Sequence, residues 1–522
     1  MSKKYYITTP IYYPSGNWHL GHCYTTVCCD ALARFKRLQG YDVYYLTGTD
    51  EHGQKIQERA RQHNIEPKEF VDGLVSDIKK LWKLLDISYT KFIRTTDDEH
   101  KAAVQKIFSK LYEKGDIYKS SYEGWYCTPC ESYWTQTQLK DGKCPDCGRE
   151  VKLTKEDSYF FRLSKYQDRV EELLTKTEFL EPKSRVNEMV NNFIKPGLAD
   201  LSVSRTSFDW GVKVPFDSDH VIYVWIDALS NYITALGYTS DDESDFETYW
   251  PADLHMMGKE IIRFHTIIWP AILMALELPL PKKAFAHGWI MLGGDKMSKS
   301  KGNVVDPFIL VDRYGLDAVR YYLLTALPAD GTDGAYTNEA FIKKINTDLV
   351  NTLGNLVSRT IAMTEQYFDG AIPSPEIEDE IDQDFANAVK NIYSKVTDLL
   401  EKIQINKALE EIILLTERAN KYIDQTLPWV LAKDPDKKGK LKTVIYNLCE
   451  CIRTVAVLLR PFLIKTPDKI FEQLGVNDED LTALESAGQF PKKLAGCKVK
   501  KGEILFPRLK LEKELEELSK LC

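Results

Sequence analysis

The chain opens as strand, helix, strand, and that order decides the class of fold that can follow. Tyr5-Tyr6-Ile7-Thr8-Thr9 is aromatic and β-branched, and Pro10, Pro14 and Gly16 then punctuate a loop. Apolar residues recur at Leu20, Cys23, Val27, Ala31, Leu32, Phe35 and Leu38, a helical spacing that Gly40 ends. Asp42 to Leu46 reads as the next strand, and Thr47-Gly48-Thr49-Asp50-Glu51-His52-Gly53 as a polar loop. Two strands joined through a helix lie parallel in one sheet, so an α/β domain is predicted. Such sheets bind ligands at the carboxyl ends of their strands. Asp50, Trp225, Asp227, Tyr232 and His265 are the polar and aromatic residues expected near those ends or on the helix Ile261 to Leu276.

His19-Leu20-Gly21-His22 stands where the first loop becomes the helix. Two histidines three apart share a helix face, and Gly21 lets a ligand approach the backbone. The helix start adds N–H groups without intrahelical partners and a positive dipole end, so phosphate is the natural ligand. With 9 His and 28 Gly in 522 residues, chance would give this pattern about 0.01 times per chain. A second motif, Asp295-Lys296-Met297-Ser298-Lys299-Ser300-Lys301-Gly302-Asn303, sets lysines beside small hydroxyls and a glycine. Alone it could be a solvated basic loop; paired with the first motif, it fits a polyphosphate whose charge grows as a bond breaks.

A length of 522 residues predicts about three to four domains. Strand–helix alternation over 1–115 is interrupted over 116–225 and resumes over 226–336, with Val221 to Trp225 and Ile261 to Leu276 its clearest elements. Beyond 337 come amphipathic helices: Glu339 to Tyr367, Phe385 to Ile403, Ala408 to Ile423, Lys440 to Leu459, and a charged one at Arg508 to Cys522. The interruption holds Cys127-Thr128-Pro129-Cys130 and Cys144-Pro145-Asp146-Cys147, two tight turns that aim four thiolates at one point. A structural Zn²⁺ is the favoured occupant, with a redox dithiol or an iron–sulfur centre as alternatives. The start of the chain has no apolar secretory core, which suits reduced thiols in the cytoplasm. No membrane partner is expected, because the best apolar run, Ile267 to Leu280, is broken by Pro270, Glu277 and Pro279. A net charge of −8 excludes a generally basic surface and leaves room for a local nucleic-acid patch.

The two phosphate-type motifs on an α/β scaffold resemble the hallmarks of class I aminoacyl-tRNA synthetases, with Leu20 where isoleucine is common. Thr9-Pro10-Ile11-Tyr12-Tyr13-Pro14, Thr49-Asp50-Glu51-His52-Gly53, Tyr223-Val224-Trp225-Ile226-Asp227-Ala228 and Phe264-His265-Thr266-Ile267-Ile268-Trp269-Pro270 narrow the resemblance. It is to the bacterial-type methionyl-tRNA synthetase family, over essentially the whole chain. The resemblance implies a Rossmann-type parallel-sheet catalytic domain in two halves, 1–115 and 226–336. It further implies a connective insertion with a zinc knuckle at 116–225 and an all-α helix-bundle anticodon-binding domain at 337–522.

The implied activity is methionine–tRNA ligation, in which the methionine carboxylate attacks the α-phosphorus of Mg²⁺·ATP, pyrophosphate leaves, and the methionyl group passes to tRNA(Met). Asp50 would hold the methionine ammonium; Ile11, Tyr13, Trp225, Ala228, Leu229, Tyr232, Ile261 and His265 would line the side-chain pocket. ATP would be contacted by His19, Gly21, His22, Gly258, Glu260, Lys296 and Lys299, with His19, His22 and Lys299 stabilising the transition state. Zn²⁺ would sit on Cys127, Cys130, Cys144 and Cys147. Asn355 and Arg359, four apart on one helix face, would touch the anticodon. Two departures stand out. Leu484 occupies the place expected for a base-stacking tryptophan, and the chain stops at Cys522 without an oligonucleotide-binding dimerisation domain, so a monomer is expected. The competing readings are another class I synthetase, disfavoured by the short insertion, and a non-catalytic synthetase-derived RNA-binding protein, disfavoured by two intact motifs.

Overall fold

The structure is a computed structural model that describes residues 3–521 apart from 15–17, 128–131, 135, 146, 293–294, 297–305, 327 and 329. Its central sheet contains β1 (Lys4–Thr8), β2 (Asp42–Thr49), β3 (Lys91–Arg94), β4 (Leu180–Glu181), β5 (Leu254–Gly258) and β6 (Ala284–His287). They lie in the order β3-β2-β1-β5-β6-β4, and every neighbouring pair is parallel. The chain leaves β1 toward β2 on one side and returns much later to β5 on the other. A crevice therefore opens at the carboxyl ends of β1 and β5, the topological switch point where such sheets bind ligands.

The first strand and helix fall where the sequence places them, the helix at Leu20–Leu38. The strand β2 runs on to Thr49, through what the sequence suggested was loop. Its whole span from Val43 is buried, so the small residues Thr47 and Gly48 are interior strand positions. At Gly48 a Cβ would stand 2.1 Å from the Ile93 carbonyl oxygen of β3, so only glycine fits. Asp50 is consequently the first residue past the strand.

The interruption builds an antiparallel sheet in the order Ser132–Trp134, Ile117–Cys127, Lys152–Phe161, Leu201–Ser202. The same stretch also supplies β4, so it completes the edge of the catalytic sheet as well as carrying the cysteines. Val221 to Trp225 differs from expectation. The strand Asp217–Ile222 pairs antiparallel with Lys213–Val214 and Ser204–Arg205, outside the central sheet, and the helix Val224–Thr234 starts directly after Tyr223. The strand's last pairing is Ile222 with Ser204, and Trp225, Ala228, Leu229 and Tyr232 then follow helical spacing.

Helices Asn338–Lys344, Asn355–Phe368, Glu380–Glu401, Ile405–Thr426, Lys438–Leu459 and Thr466–Leu474 form the second half. Lys438–Leu459 is buried along almost its whole length and is the bundle's axis. One continuous core joins the bundle to the helix Leu20–Leu38, and a second fills the other face of the sheet. The helix Leu316–Ala326 fastens the two halves. Asp317 accepts from the backbone N–H groups of Ile464, Lys465 and Thr466 at 2.7–3.0 Å and from the Thr466 hydroxyl at 2.6 Å. One turn on, fully buried Arg320 donates to Asp30 at 2.7 Å and to the carbonyls of Leu85 and Phe462 at 3.0 and 2.9 Å. Among the described residues no helix is long and apolar enough to cross a membrane.

Candidate active site

The helix Leu20–Leu38 is capped by histidine. The ring nitrogen Nδ1 of His19 accepts from the Gly21 N–H at 3.1 Å, and Nδ1 of His22 accepts from the His19 N–H at 3.2 Å. A nitrogen that accepts carries no proton, so each neutral ring bears its hydrogen on Nε2. The ring centroids lie 3.9 Å apart. A Cβ at Gly21 would press on the His19 ring at 3.0 Å, which is a local reason for glycine. Helix start and paired ε N–H groups together make a donor set for an anion at the carboxyl end of β1.

Beside it lies a cavity of about 240 Å³. Ile11, Tyr13, Asp50, Trp225, Ala228, Leu229, Tyr232, Ile261 and His265, each singled out in the sequence, all line it, together with Pro10, Lys55, Val224 and Asn231. They come from the loops after β1 and β2, from the helices Gln54–Gln62 and Val224–Thr234, and from the turn and helical segment that follow β5. Asp50 is 7% exposed, and its backbone N–H donates to the Tyr12 carbonyl at 3.0 Å. The Tyr12 ring meets His22 edge-on, so one residue links the cavity mouth to the histidine cap.

The far wall is aromatic. Trp225 stacks on Phe264 with centroids 3.4 Å apart. His265 Nδ1–H donates to the Ile261 carbonyl at 2.9 Å, which leaves Nε2 to accept from the Tyr232 hydroxyl at 2.6 Å. Burial pushes the His265 pKa down to about 4, and it lowers His255 and His287 as well. The cavity therefore presents a neutral imidazole at pH 7, suited to an uncharged, polarizable side chain.

These histidines set an acid limit on stability. Their folded pKa values lie below the ordinary 6.5, so the unfolded chain takes up protons first as pH falls. Stability from burying them neutral is present above pH 6.5 and is lost as pH drops toward 4. His265 alone accounts for about 3 kcal/mol of that loss. A thermal-melt series is expected to show Tm falling through that window; a flat Tm there would contradict the neutral burial.

Gly258 and Glu260 lie at the end of β5. Glu260 Oε2 accepts from the Trp289 indole N–H at 2.7 Å, and a Cβ on Gly258 would stand 2.3 Å from that oxygen. Lys296 closes the strand Asp295–Lys296, which pairs with Ile290–Leu292. Lys299, with most of the basic loop, lies outside the described residues, as does Cys130. The sulfurs of Cys127, Cys144 and Cys147 lie within 4.8 Å of one another, those of Cys127 and Cys147 at 3.6 Å. Two thiolates sharing one tetrahedral Zn²⁺ at about 2.3 Å stand roughly 3.8 Å apart, so the spacing fits a metal and is too long for a disulfide.

In the bundle, Asn355 donates to the Asn420 side chain at 3.3 Å and Arg359 to Asp424 at 3.1 Å, both on the helix Ile405–Thr426. Leu484, given the place of a stacking residue, is buried in the core at 3% exposure and cannot meet a base. Trp429, which the sequence reading passed over, is 40% exposed on the short helix Pro428–Leu431, just beyond the helix that braces Arg359. Its mark in the sequence is Pro428, which starts a new turn and leaves an aromatic outside the apolar stripe. Lys55 was also missed; a lysine in the first turn of the polar helix Gln54–Gln62 carries no distinguishing pattern.

Residues 5–154 and 137–361 match the family described as tRNA synthetases class I (M), and residues 372–520 the anticodon binding domain of methionyl tRNA ligase. The chain is 62% identical over 521 residues to a methionine–tRNA ligase of Caldanaerobacter subterraneus, covering 100% of this chain and 81% of the relative. It is 56% identical over 527 residues to that of Bacillus subtilis, covering 98% and 79%. Among solved structures, Mycobacterium tuberculosis methionyl-tRNA synthetase in complex with methionyl-adenylate superposes with a TM-score of 0.91 at 40% identity, over 97% of this chain and 100% of that one. The free-state structure of the same enzyme gives 0.84 at 37% identity, over 98% and 99%.

Proposed function

The chain belongs to the methionyl-tRNA synthetase family of class I aminoacyl-tRNA synthetases, and from that premise we propose how its residues divide the work. The protein is an ATP-dependent ligase that activates methionine and charges tRNA with it. The observation that carries the assignment of residues is the convergence on one cavity of side chains scattered from Ile11 to His265.

Asp50 receives the methionine ammonium, and the walls formed by Trp225, Ala228, Leu229, Tyr232, Ile261 and His265 take the thioether. Ile11 and Tyr13 close the pocket from the first loop. The methionine carboxylate is then left facing the histidine cap. There the Nε2–H groups of His19 and His22 and the helix start meet the ATP phosphates, with Gly21 allowing close approach. Attack of the carboxylate on the α-phosphorus breaks the bond to pyrophosphate, and charge accumulates on oxygens that these donors already face. Lys296 and Lys299 supply cationic groups to the same phosphates, Gly258 and Glu260 border the nucleotide, and Mg²⁺ enters with ATP. The terminal ribose hydroxyl of tRNA then displaces AMP from methionyl-adenylate. No enzyme nucleophile is required; catalysis is positioning and charge stabilisation.

Anticodon recognition falls to Asn355 and Arg359 as hydrogen-bond donors and to Trp429 as the stacking platform, with the cytoplasm as the setting. Cys127, Cys130, Cys144 and Cys147 would hold Zn²⁺, whose role is to tie the strand Ile117–Cys127 to the turn after Lys143. Zinc analysis of Cys144→Ser is expected to show loss of the metal and a lower Tm; full zinc retention would sink the ligand assignment.

The deciding measurement is ATP–pyrophosphate exchange with each amino acid supplied separately. Exchange with methionine alone is expected. Exchange driven by another amino acid would overturn the pocket assignment, and none from folded protein would favour a non-catalytic RNA binder.

A further inference from the structure

Asp227 lies on the pocket helix Val224–Thr234 but does not line the cavity. Its carboxylate is fully buried, and each oxygen takes one imidazole. Oδ2 accepts from His52 Nδ1 at 2.7 Å and Oδ1 from His100 Nε2 at 3.0 Å. Burial alone would raise its pKa; the two imidazoles reverse that and hold it at about 2, so it is ionised and both rings donate.

The rings come from different elements. His100, on the helix Asp98–Glu113, also meets the Thr234 hydroxyl through Nδ1 at 2.7 Å. Asp227 and Thr234 are two helical turns apart, so one imidazole grips the pocket helix at two points and opposes both sliding and rotation. His52 belongs to the loop that follows β2, two residues past Asp50. Between them Glu51 is held by Arg94 through two guanidinium nitrogens at 2.7 and 2.8 Å and by the Thr96 hydroxyl at 2.7 Å. Three consecutive residues thus serve three directions: Asp50 the cavity, Glu51 the end of β3, His52 the pocket helix.

We propose that Asp227, His52 and His100 are positioning residues for amino-acid recognition, fixing the wall that takes the thioether relative to the Asp50 carboxylate that takes the ammonium. The proposal rests on the pocket assignment above and deepens it. A ligand recognised at both ends is sensitive to their separation, and displacement by about 1 Å is enough to lose much of its affinity. Among the described residues the network's hydrogen bonds run to Thr234, Arg94 and Thr96 and away from the histidine cap, so ATP recognition is expected to be spared.

The test uses the full-length protein with Asp227→Asn, His52→Ala and His52→Asn, the last keeping an N–H near the position of imidazole Nδ1. In exchange assays the first two are expected to raise KM for methionine about ten-fold or more while KM for ATP and kcat move less than about three-fold. His52→Asn is expected to restore most of the methionine affinity. A double variant of His52→Ala with Asp50→Asn should lose less than the product of the single effects, because both act on one contact. Parallel losses for methionine and ATP, an unchanged methionine KM in His52→Ala, or equal impairment in His52→Asn and His52→Ala would each overturn the proposal. If Asp227→Asn does not fold, the two His52 variants decide. Failure of the unsubstituted protein to exchange with methionine would bring down the pocket assignment itself, and it would be seen before any variant is made.

Discussion

Asp50→Asn is expected to lower kcat/KM for methionine in pyrophosphate exchange about 100-fold or more, with most of the change in KM. The carboxylate is 7% exposed at the cavity mouth, where little water screens it, and the ligand's ammonium would face a neutral amide in its place. A fall in Tm with methionine KM unchanged would make Asp50 a structural residue and detach it from the ammonium.

His19→Asn separates two duties that the native side chain combines. Asparagine is among the best helix N-caps, and its side-chain oxygen can take over the Gly21 N–H that His19 Nδ1 now accepts. It has no counterpart of the Nε2–H. The variant is therefore expected to melt within a few degrees of the native protein, to keep its methionine affinity, and to lose about 100-fold in the rate of adenylate formation. Single-turnover rates alongside methionine titration would check this. A large drop in Tm with a normal rate would mean that the histidine serves only as a cap.

The parts of this molecule that were legible in its sequence are those where chemistry and geometry share one local pattern. The histidine pair announces a helix start because cap, glycine and first apolar position all lie within four residues. The pocket wall was named through the family resemblance and not from periodicity, because Trp225, Ala228, Leu229 and Tyr232 share one helical face only once the helix is seen to begin at Val224. Where the reading failed, the decisive partner was far away. Val221 to Trp225 has strand composition throughout, and only pairing with Ser204–Arg205 decides that the strand stops at Ile222. Thr47-Gly48-Thr49 looks like loop until the Ile93 carbonyl appears beside Gly48. His100 is a lone histidine on an amphipathic helix, and its link to Asp227 spans 127 positions. Trp429 was obscured by a match to the family's pattern that put the stacking position at Leu484, which lies inside the core.

The buried fastening on Leu316–Ala326 bears on how such molecules can be recombined. Arg320 needs Asp30 and the Leu85 carbonyl from the nucleotide half and the Phe462 carbonyl from the bundle, while Asp317 needs the amides of Ile464 to Thr466. A foreign helical bundle spliced on near residue 337 would arrive without the second set and strand a guanidinium and a carboxylate in the interior. Moving the splice upstream of Leu316 breaks the first set instead. No crossover point on either side of this helix leaves both sets whole, so a grafted bundle is expected to be tolerated only where its own backbone offers the carbonyl and amides that Arg320 and Asp317 require.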